Sequence, residues 1–569
     1  MTDPRLVARA LEDIARFLEV GEGNKFKARA YANAAKTVER LDLPVDDLIA
    51  AGTLESTPGI GKGTGAVIRE IAATGKSSLL EELRAKYPEG LLRMLKIPGL
   101  GASKLAVLHR ELGIGSVEEL EQACRSGKLR EVRGFGPRAE QKILAGIEEL
   151  ATVGERILLP IGMRIADALI ERIAPLGAIE KVEVAGEVRR RLETIDRVDL
   201  CVAAGDAGAA MEAIRSIAML SEFAPESDAV LRARGSGGVP VRIRFCLPEE
   251  LGLTLMVETG SEEFVAALAA RAAAAKADLA GGGFATEEEV FRRAGVPPVP
   301  PELRETDAYV RAKPPRRLIE PGDLRGAFHV HTTYSDGKAT LWEMLDASRE
   351  GNLEYVGISD HSKAAYYARG LDVDRLDEQQ GEIDHYRETF APLRIFKGTE
   401  ADILADGSID YGREVLARFD FVIASVHSRF GMSREEMTDR IVRALSDPFV
   451  TFLGHPTGRL LLSRPGYHLD FDRIFDAAAE HGVIVEINGN PHRLDLDWRL
   501  IGRALDRGVL FSINPDAHST EEMKNVLAGV RVARKGALEP KHVFNTWPVE
   551  KVVAYLEERK TARRRRAGR

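Results

Sequence analysis

The stretch Gly326-Ala-Phe-His-Val-His-Thr-Thr-Tyr-Ser-Asp-Gly337 sets the reading of the C-terminal half of this chain. It opens as a short apolar strand, Ala327–His331, that carries histidines at i and i+2. Residues two apart on a strand point to the same side, so His329 and His331 can face one ion. Asp336 follows in a polar turn. The same event then recurs along the chain. Tyr355–Ser359 is followed by His361, Arg394–Gly398 by Glu400, Phe421–Val426 by His427, Val450–Gly454 by His455, and Leu510–Ile513 by Asp516 and His518. With Val483–Ile487 these make seven strands separated by helical stretches. That pattern predicts parallel βα units closing as a barrel, with the site at the strand C-termini. The chain has 12 histidines, and six of them fall in this set of nine. One histidine at a strand end is usually a hydrogen-bonded surface residue. Nine metal-type side chains at the same end of successive strands read as a site, and imidazole with carboxylate suits Zn²⁺ or Mn²⁺.

At 569 residues the chain exceeds a single core, and three to five domains are expected. Its 44% hydrophobic and 30% charged residues are ordinary for a soluble globular protein. No run of about 18 apolar residues occurs, and Met1–Phe17 lacks an apolar segment with a cleavage site, so a cytoplasmic protein without a membrane span is expected. Cys124, Cys201 and Cys246 are far apart and odd in number. They fit reducing conditions and offer neither a disulfide framework nor a cysteine zinc site. The net charge of −8 argues weakly against nucleic acid, yet Glu558–Arg569 is strongly basic. Such an end reads as a solvated tail or as an arm that attracts phosphate.

Residues 1–150 show helical spacing, for instance in Leu6–Leu18 and Ala28–Leu41, broken by three similar turns. These are Thr57-Pro-Gly59-Ile-Gly61-Lys62, Ile97-Pro-Gly99-Leu-Gly101-Ala102 and Val132-Arg-Gly134-Phe-Gly136-Pro137, each leading into a helical stretch. A tight turn opening a helix leaves backbone N–H groups free for a phosphate. The three turns resemble helix-hairpin-helix motifs, which grip the DNA backbone without reading sequence.

Residues 155–258 switch to mixed α/β, with strands expected at Val182–Ala185, Asp199–Val202 and Val239–Phe245. The segment Gly186-Glu-Val-Arg-Arg-Arg-Leu-Glu-Thr-Ile-Asp-Arg-Val-Asp-Leu200 resembles the nucleotidyltransferase signature of family X DNA polymerases. The order of helical domain, palm and thumb over 1–312 is similar, as is Thr259-Gly-Ser261, a nucleotide-contact position in that family. Two-metal phosphoryl transfer needs carboxylates that bridge both ions. Asp199 fits one of them, but Arg197 and Arg242 stand where the family has the other two, and Glu187 stands where it has a phosphate-binding serine. Arg190 matches one of the family's paired arginines. Exchanging two carboxylates for two guanidinium groups moves the local charge by about four units and removes ligands, so Mg²⁺ binding in the palm is not expected. An Arg197–Asp199–Arg242 ion cluster, a surviving palm fold and weak or lost templated synthesis are. Arg189 and Arg190 can still hold DNA on this reading.

The motifs downstream resemble the polymerase and histidinol phosphatase (PHP) domain over about 325–550. The resemblance implies three divalent metals. His329, His331, Glu400 and Asp516 would hold the first, Glu400 with His427 and His455 the second, and Asp336, His361 and His518 the third. Glu400 would be the bridging catalytic ligand, with Arg459 and Arg493 as candidate phosphate clamps. Joined, the two halves resemble the bacterial DNA polymerase X family. The expected architecture is multidomain: helical helix-hairpin-helix domains at 1–80 and 81–153, an α+β palm at 154–258 and a helical thumb at 259–312. A linker at 313–324, a distorted (β/α)7 PHP barrel at 325–550 and a basic tail at 551–569 complete it. The implied activity is metal-dependent 3′→5′ exonuclease or phosphoesterase action in DNA repair, on gapped or 3′-damaged duplex. A PHP-type phosphatase of small molecules and a non-catalytic DNA-binding scaffold are the alternatives.

Overall fold

The computed structural model describes residues 4–22, 25–39, 45–88, 90–95, 97, 100–153, 156–279 and 283–567. The chain divides into two compact units, Met1–Glu155 and Arg156–Arg569.

The first unit is helical and has two cores. One lies among Pro4–Phe17, Lys25–Glu39, Lys62–Thr74 and Ser78–Lys86, around Leu11, Ile14, Phe17 and Ile68. The other lies among Ala102–Leu112, Val117–Arg125 and Pro137–Val153, around Leu105, Leu108 and Leu120. The three turns share one hydrogen-bond pattern. Ile60 donates to the Thr57 carbonyl at 3.0 Å, Leu100 to Ile97 at 3.0 Å, and Phe135 to Val132 at 3.1 Å. All three donors are buried apolar residues that pin their turn to the core. The following helices start at Gly61, Gly101 and Gly136, whose carbonyls accept from Gly65, Leu105 and Glu140 at 2.8, 3.0 and 3.1 Å. Gly59 and Gly134 have φ of 95° and 96°, which side chains other than glycine rarely adopt. Gly99 lies outside the described residues.

The second unit begins with the palm. Its strands are β1 (Ile157–Leu158), β2 (Lys181–Ala185), β3 (Thr194–Ile195), β4 (Val198–Ala203), β5 (Ser221–Ser227), β6 (Val230–Arg234) and β7 (Pro240–Cys246). A five-stranded sheet runs in the order β2-β4-β7-β6-β5, and β1 pairs with β3 beside it. The β4/β7 pair is parallel and sets Asp199 opposite Arg242. Helices Glu262–Ala274 and Glu287–Ala294 follow around their own core, which also buries Val296 and Val299 of the proline-rich stretch.

The barrel strands are β8 (Gly326–Val330), β9 (Tyr355–Ile358), β10 (Arg394–Asp402), β11 (Phe421–Ser425), β12 (Phe452–Leu453), β13 (Ile484–Asn488) and β14 (Phe511–Asn514). All neighbours are parallel, in chain order from β8 to β14. A parallel bridge between Val330 and Ala517 brings the two ends of the sheet together, with His331 donating to the Ala517 carbonyl at 2.9 Å. These strands read as continuous apolar runs because they are buried on both faces. The barrel floor is aromatic: the Phe328 ring lies 5.0 Å from Phe421 and Phe452, and 5.7 Å from Phe544.

Two boundary expectations need correction. The segment 313–324 is not a free linker: Leu318 and Ile319 are buried, and Ile319 donates to the Leu538 carbonyl at 2.9 Å. The segment 551–569 is not a tail throughout. Helix Val549–Ala567 closes the barrel floor with Val552 and Leu556, while Arg559 donates to the carbonyls of Gly482 (2.6 Å) and Val450 (2.7 Å). Charge composition hid both because the apolar anchors are few and the polar residues around them dominate the segment. Among the described residues, no helix is long and apolar enough to cross a membrane.

Phe328→Ala is expected to cost about 3–5 kcal/mol by opening a cavity in the floor, read as a lower denaturation midpoint of the full chain.

Candidate metal centre

The nine side chains converge at the C-terminal ends of the barrel strands. Glu400, at 1% exposure, sits at the middle. Its carboxylate lies 2.9 Å from His455, 3.0 Å from His361, 3.2 Å from His427, 3.3 Å from His329 and 3.6 Å from His331. Asp516 is 3.5 Å from both His329 and His331. Asp336 is 3.4 Å from His518 and 3.7 Å from His361. Four overlapping groups result, each with ligand atoms within 4.8 Å of one another: His331, Asp336, His361 and His518; His329, Glu400 and His455; His329, His331 and Asp516; and His361, Glu400 and His427. His329, His331, His361 and Glu400 each belong to two groups, so the set is continuous rather than three separate clusters.

Local backbone is bent to achieve this. His329, His455 and Asp516 have φ of 61°, 23° and 51°. Non-glycine residues held there are strained, and such strain gathers at functional sites. At His329 the β8/β9 register shifts between Ala327 and Val330, so simple strand alternation does not place the His329–His331 pair. Behind the nine stands a further layer. Glu486 meets His329 Nδ1 at 2.6 Å and accepts from the His455 backbone at 2.7 Å, from Asn514 at 2.9 Å and from Asn488 at 3.1 Å. Asp402 meets His427 Nδ1 at 2.5 Å. Asp360 accepts from Thr332, Ser335 and Gln379, fixing the turn that carries Asp336. Partners of this kind orient imidazoles for a metal. None of these supporting residues is a metal-type residue singled out by the strand-end pattern. Glu400 and Asp402, Glu486 and Asn488, and Asn514 and Asp516 are each two apart at a strand end, and that spacing was the available signal.

The donor set fits divalent cations. His329 Nε2, both ring nitrogens of His331, and Nδ1 of His361 and of His455 are buried without a hydrogen-bond partner among the described residues. Buried polar atoms are nearly always satisfied, so nitrogens left open in this way fit a centre that takes divalent ions. The electrostatics agree. Burial would lower His427 and His518, but Glu400 and Asp402 raise the first to about 10, and Asp336 and Asp516 raise the second to about 9. Against burial, His329 and the other imidazoles hold Glu400 and Asp516 well below the usual carboxylate range. A divalent cation competes for the positions those protons would take.

The two candidate clamps part company. Arg493 Nε lies 3.5 Å from Asp516 and faces the centre. Arg459 does not: its guanidinium donates to the Arg493 carbonyl at 2.9 Å, to the Leu494 carbonyl and to Asp497. Arg459 is spent on fastening the segment that carries Arg493. Each arginine has several neutral or acidic groups in reach, and chain neighbours do not reveal which it takes.

In the palm, Asp199 is buried and accepts from Arg197 Nε at 2.8 Å. Arg242 is 3.9 Å from Asp199, but its main partner is Glu258, at 2.5 Å. Gly186 has φ of 59°, and a Cβ there would lie 2.2 Å from Asp199 Oδ2, so the turn tolerates only glycine. Glu187 accepts from Arg156 at 2.9 Å and from the Asp196 backbone at 3.0 Å. Arg189 and Arg190, expected to hold DNA, are paired within the chain. Arg189 forms a fork with Glu287 at 2.8 and 2.7 Å and donates to Thr259. Arg190 donates to Glu305 at 2.8 Å and to the Thr259 carbonyl, beside Lys535 of the barrel domain. Ser261 caps helix Glu262–Ala274. A cavity of about 420 Å³ remains beside Arg197, Arg232, Arg234 and Arg242.

Comparison with known proteins agrees with this layout. Residues 3–77 match the helix-hairpin-helix domain family, 91–149 the SAM-like helix-hairpin-helix tandem, and 327–490 the PHP domain. The chain is 35% identical over 565 residues to "DNA polymerase/3'-5' exonuclease PolX" of Bacillus subtilis (strain 168), covering 97% of this chain and 99% of that protein. It is 27% identical over 256 residues to a "Probable phosphatase" of Caldanaerobacter subterraneus subsp. tengcongensis, covering 42% of this chain and 93% of that protein. A "Probable phosphatase" of Vibrio parahaemolyticus is 30% identical over 212 residues, covering 35% of this chain and 79% of that protein.

Glu486→Ala should lower divalent-metal affinity about 10- to 100-fold, measured by chelator competition, with the circular dichroism spectrum unchanged.

Proposed function

The chain belongs to the PolX family of DNA polymerases/3'-5' exonucleases, and we propose that in this member the barrel centre is the working one, a metal-dependent 3′→5′ exonuclease or phosphoesterase on DNA, with templated synthesis weak or lost. The observation that carries the reading is the contrast between two sites. Nine ligand-type side chains converge in the barrel, while in the palm Asp199 accepts from Arg197, with Arg242 3.9 Å away.

His329, His331, Glu400 and Asp516 would hold one ion, Glu400, His427 and His455 a second, and Asp336, His361 and His518 a third, as Zn²⁺ or Mn²⁺. Such ions, when bound, supply an activated water and stabilise the charge that develops on phosphate oxygens. The chain's own residues do the rest. Glu486 and Asp402 fix His329 and His427 by Nδ1, so Nε2 of each faces the centre. Arg493 is the phosphate clamp, since a guanidinium pairs with two phosphate oxygens at once. Arg459 keeps the Arg493 backbone in place. The helix-hairpin-helix turns around Gly61, Gly101 and Gly136 supply backbone N–H groups for the DNA backbone of a gapped or 3′-damaged duplex. Residues 1–153 would thus serve as the DNA grip, 154–312 as a catalytically silent palm and thumb, and 325–550 as the nuclease. The partial relatives named as phosphatases favour a second reading, action on small phosphomonoesters, by the same centre.

A 3′-labelled gapped duplex with Mn²⁺ separates these readings. Labelled nucleotide should be released by the wild type and by Asp199→Ala, and lost in Glu400→Ala. Primer extension that Asp199→Ala abolishes would overturn the silent palm. Phosphate release from small esters without nucleotide release would favour the phosphatase, and binding without turnover a scaffold. Arg493→Ala should reduce kcat/KM about 10- to 150-fold, the size of a hydrogen bond to a charged group.

A further inference from the structure

Between β9 and helix Val373–Thr389, the turn Tyr366–Ala368 projects two large aromatic side chains into solvent beside the barrel centre. Tyr366 is 85% and Tyr367 61% exposed. Their rings are 6.3 Å apart at 75° to one another. The Tyr367 ring lies 6.3 Å from that of His361 and 6.4 Å from that of His427, so it stands at the rim of the ligand set.

The exposure is not the looseness of an untethered loop. Ala365 and Ala368, on either side of the pair, are buried. Ala365 donates to Ser362 at 3.0 Å, Ala368 to Ala365 at 2.9 Å, and Leu371 to the His361 carbonyl at 2.8 Å. The Arg369 guanidinium donates to the carbonyls of Thr333 (3.3 Å) and Ser335, which precede Asp336, and Arg375 donates to the Arg369 carbonyl at 2.6 Å. The backbone is thus pinned to both ligand-bearing loops while the rings face outward. Two tyrosines cover far less than the roughly 800 Å² per partner of a stable protein interface, but one ring matches the face of a nucleobase while the other, at 75° to it, can meet the base edge. Exposed Lys363, three residues before Tyr366, adds a cation, and aromatic rings interleaved with cations suit single-stranded nucleic acid.

We propose that Tyr366 and Tyr367 are a stacking platform for the terminal base of the DNA strand whose last phosphodiester is presented to the barrel centre. The platform rests on the nuclease reading above, and it defines a preference for strand ends that carry a base.

The test uses the full chain and a gapped duplex with 2-aminopurine at the 3′ end, bound to Glu400→Gln protein so that binding is read without cutting. Stacking should quench the fluorescence. The quench should persist with both tyrosines changed to Phe and disappear with both changed to Ala. In the otherwise wild-type chain, the Ala pair should raise KM for the base-bearing end about 5- to 150-fold, the size of one base stack. The ratio of KM for a base-less tetrahydrofuran end to KM for a base-bearing end should fall toward one. A quench that survives in the Ala pair, or an equal KM change on both ends, overturns the platform and leaves the nuclease standing. A tyrosine-dependent quench without any DNA cleavage by the wild type keeps the platform and overturns the nuclease.

Discussion

A carboxylate buried out of reach of water sits among five imidazoles, and the geometry of the barrel answers to it. Glu400 can be ionised there only if surrounding groups compensate its charge. Four strands and their loops deliver five histidines to within 3.6 Å of it, two of them from the end of β8. Parallel strands in shared register make this possible, because they bring all their C-termini to one end. The backbone around Glu400 is tied on both sides: its N–H donates to Ser359 at 3.1 Å and its carbonyl accepts from Ser362 at 3.0 Å. Where alternation alone would miss the target, the chain turns into the left-handed region, at His329, His455 and Asp516.

The same electrostatic rule runs in reverse in the palm. There a buried carboxylate, Asp199, meets the guanidinium of Arg197, with that of Arg242 at 3.9 Å, instead of a ring of imidazoles. Arg189 and Arg190 of the same domain are drawn into ion pairs within the chain. Arg189 and Arg190 are matched by Glu287 and Glu305, and the Arg190 carbonyl accepts from Lys535 of the barrel domain at 3.0 Å. Glu193 of the palm accepts from Trp498 at 3.2 Å and Arg499 at 2.6 Å, and lies 3.9 Å from Arg459, which in turn holds the Arg493 backbone. Palm ion pairs and hydrogen bonds thus reach the segment that carries Arg493.

Much of this was legible from residue order. The seven strands were visible as apolar runs, and eight of the nine ligand-type residues followed from strand ends or from phrases next to them, with Asp336 in the turn after the first. The three hairpin turns were visible as repeats, and Arg197 and Arg242 as charge reversals at fixed offsets from Asp199. Asp402 and Asn514 stand two residues from Glu400 and Asp516, and Glu486 two from Asn488, but carboxylates and amides at strand ends are common, and only packing shows which of them orient an imidazole. Glu258 was not legible: it pairs with Arg242 across 16 residues, from a helix whose facing depends on packing.

Local order therefore specified the strand sequence, the ligand types and the loss of the palm carboxylates, because period-two alternation and turn chemistry act over a few residues. It did not specify that Arg493 faces the centre while Arg459 turns away, that His329, His331 and His361 as well as Glu400 are shared between groups, or that 313–324 and the start of the final helix are packed. Those outcomes depend on partners brought in from distant parts of the chain: Asp497 and the Arg493 carbonyl for Arg459, Leu538 for Ile319, and Gly482 for Arg559. A long polar side chain takes the direction in which its charge or its N–H groups are satisfied, and only the assembled fold supplies those partners.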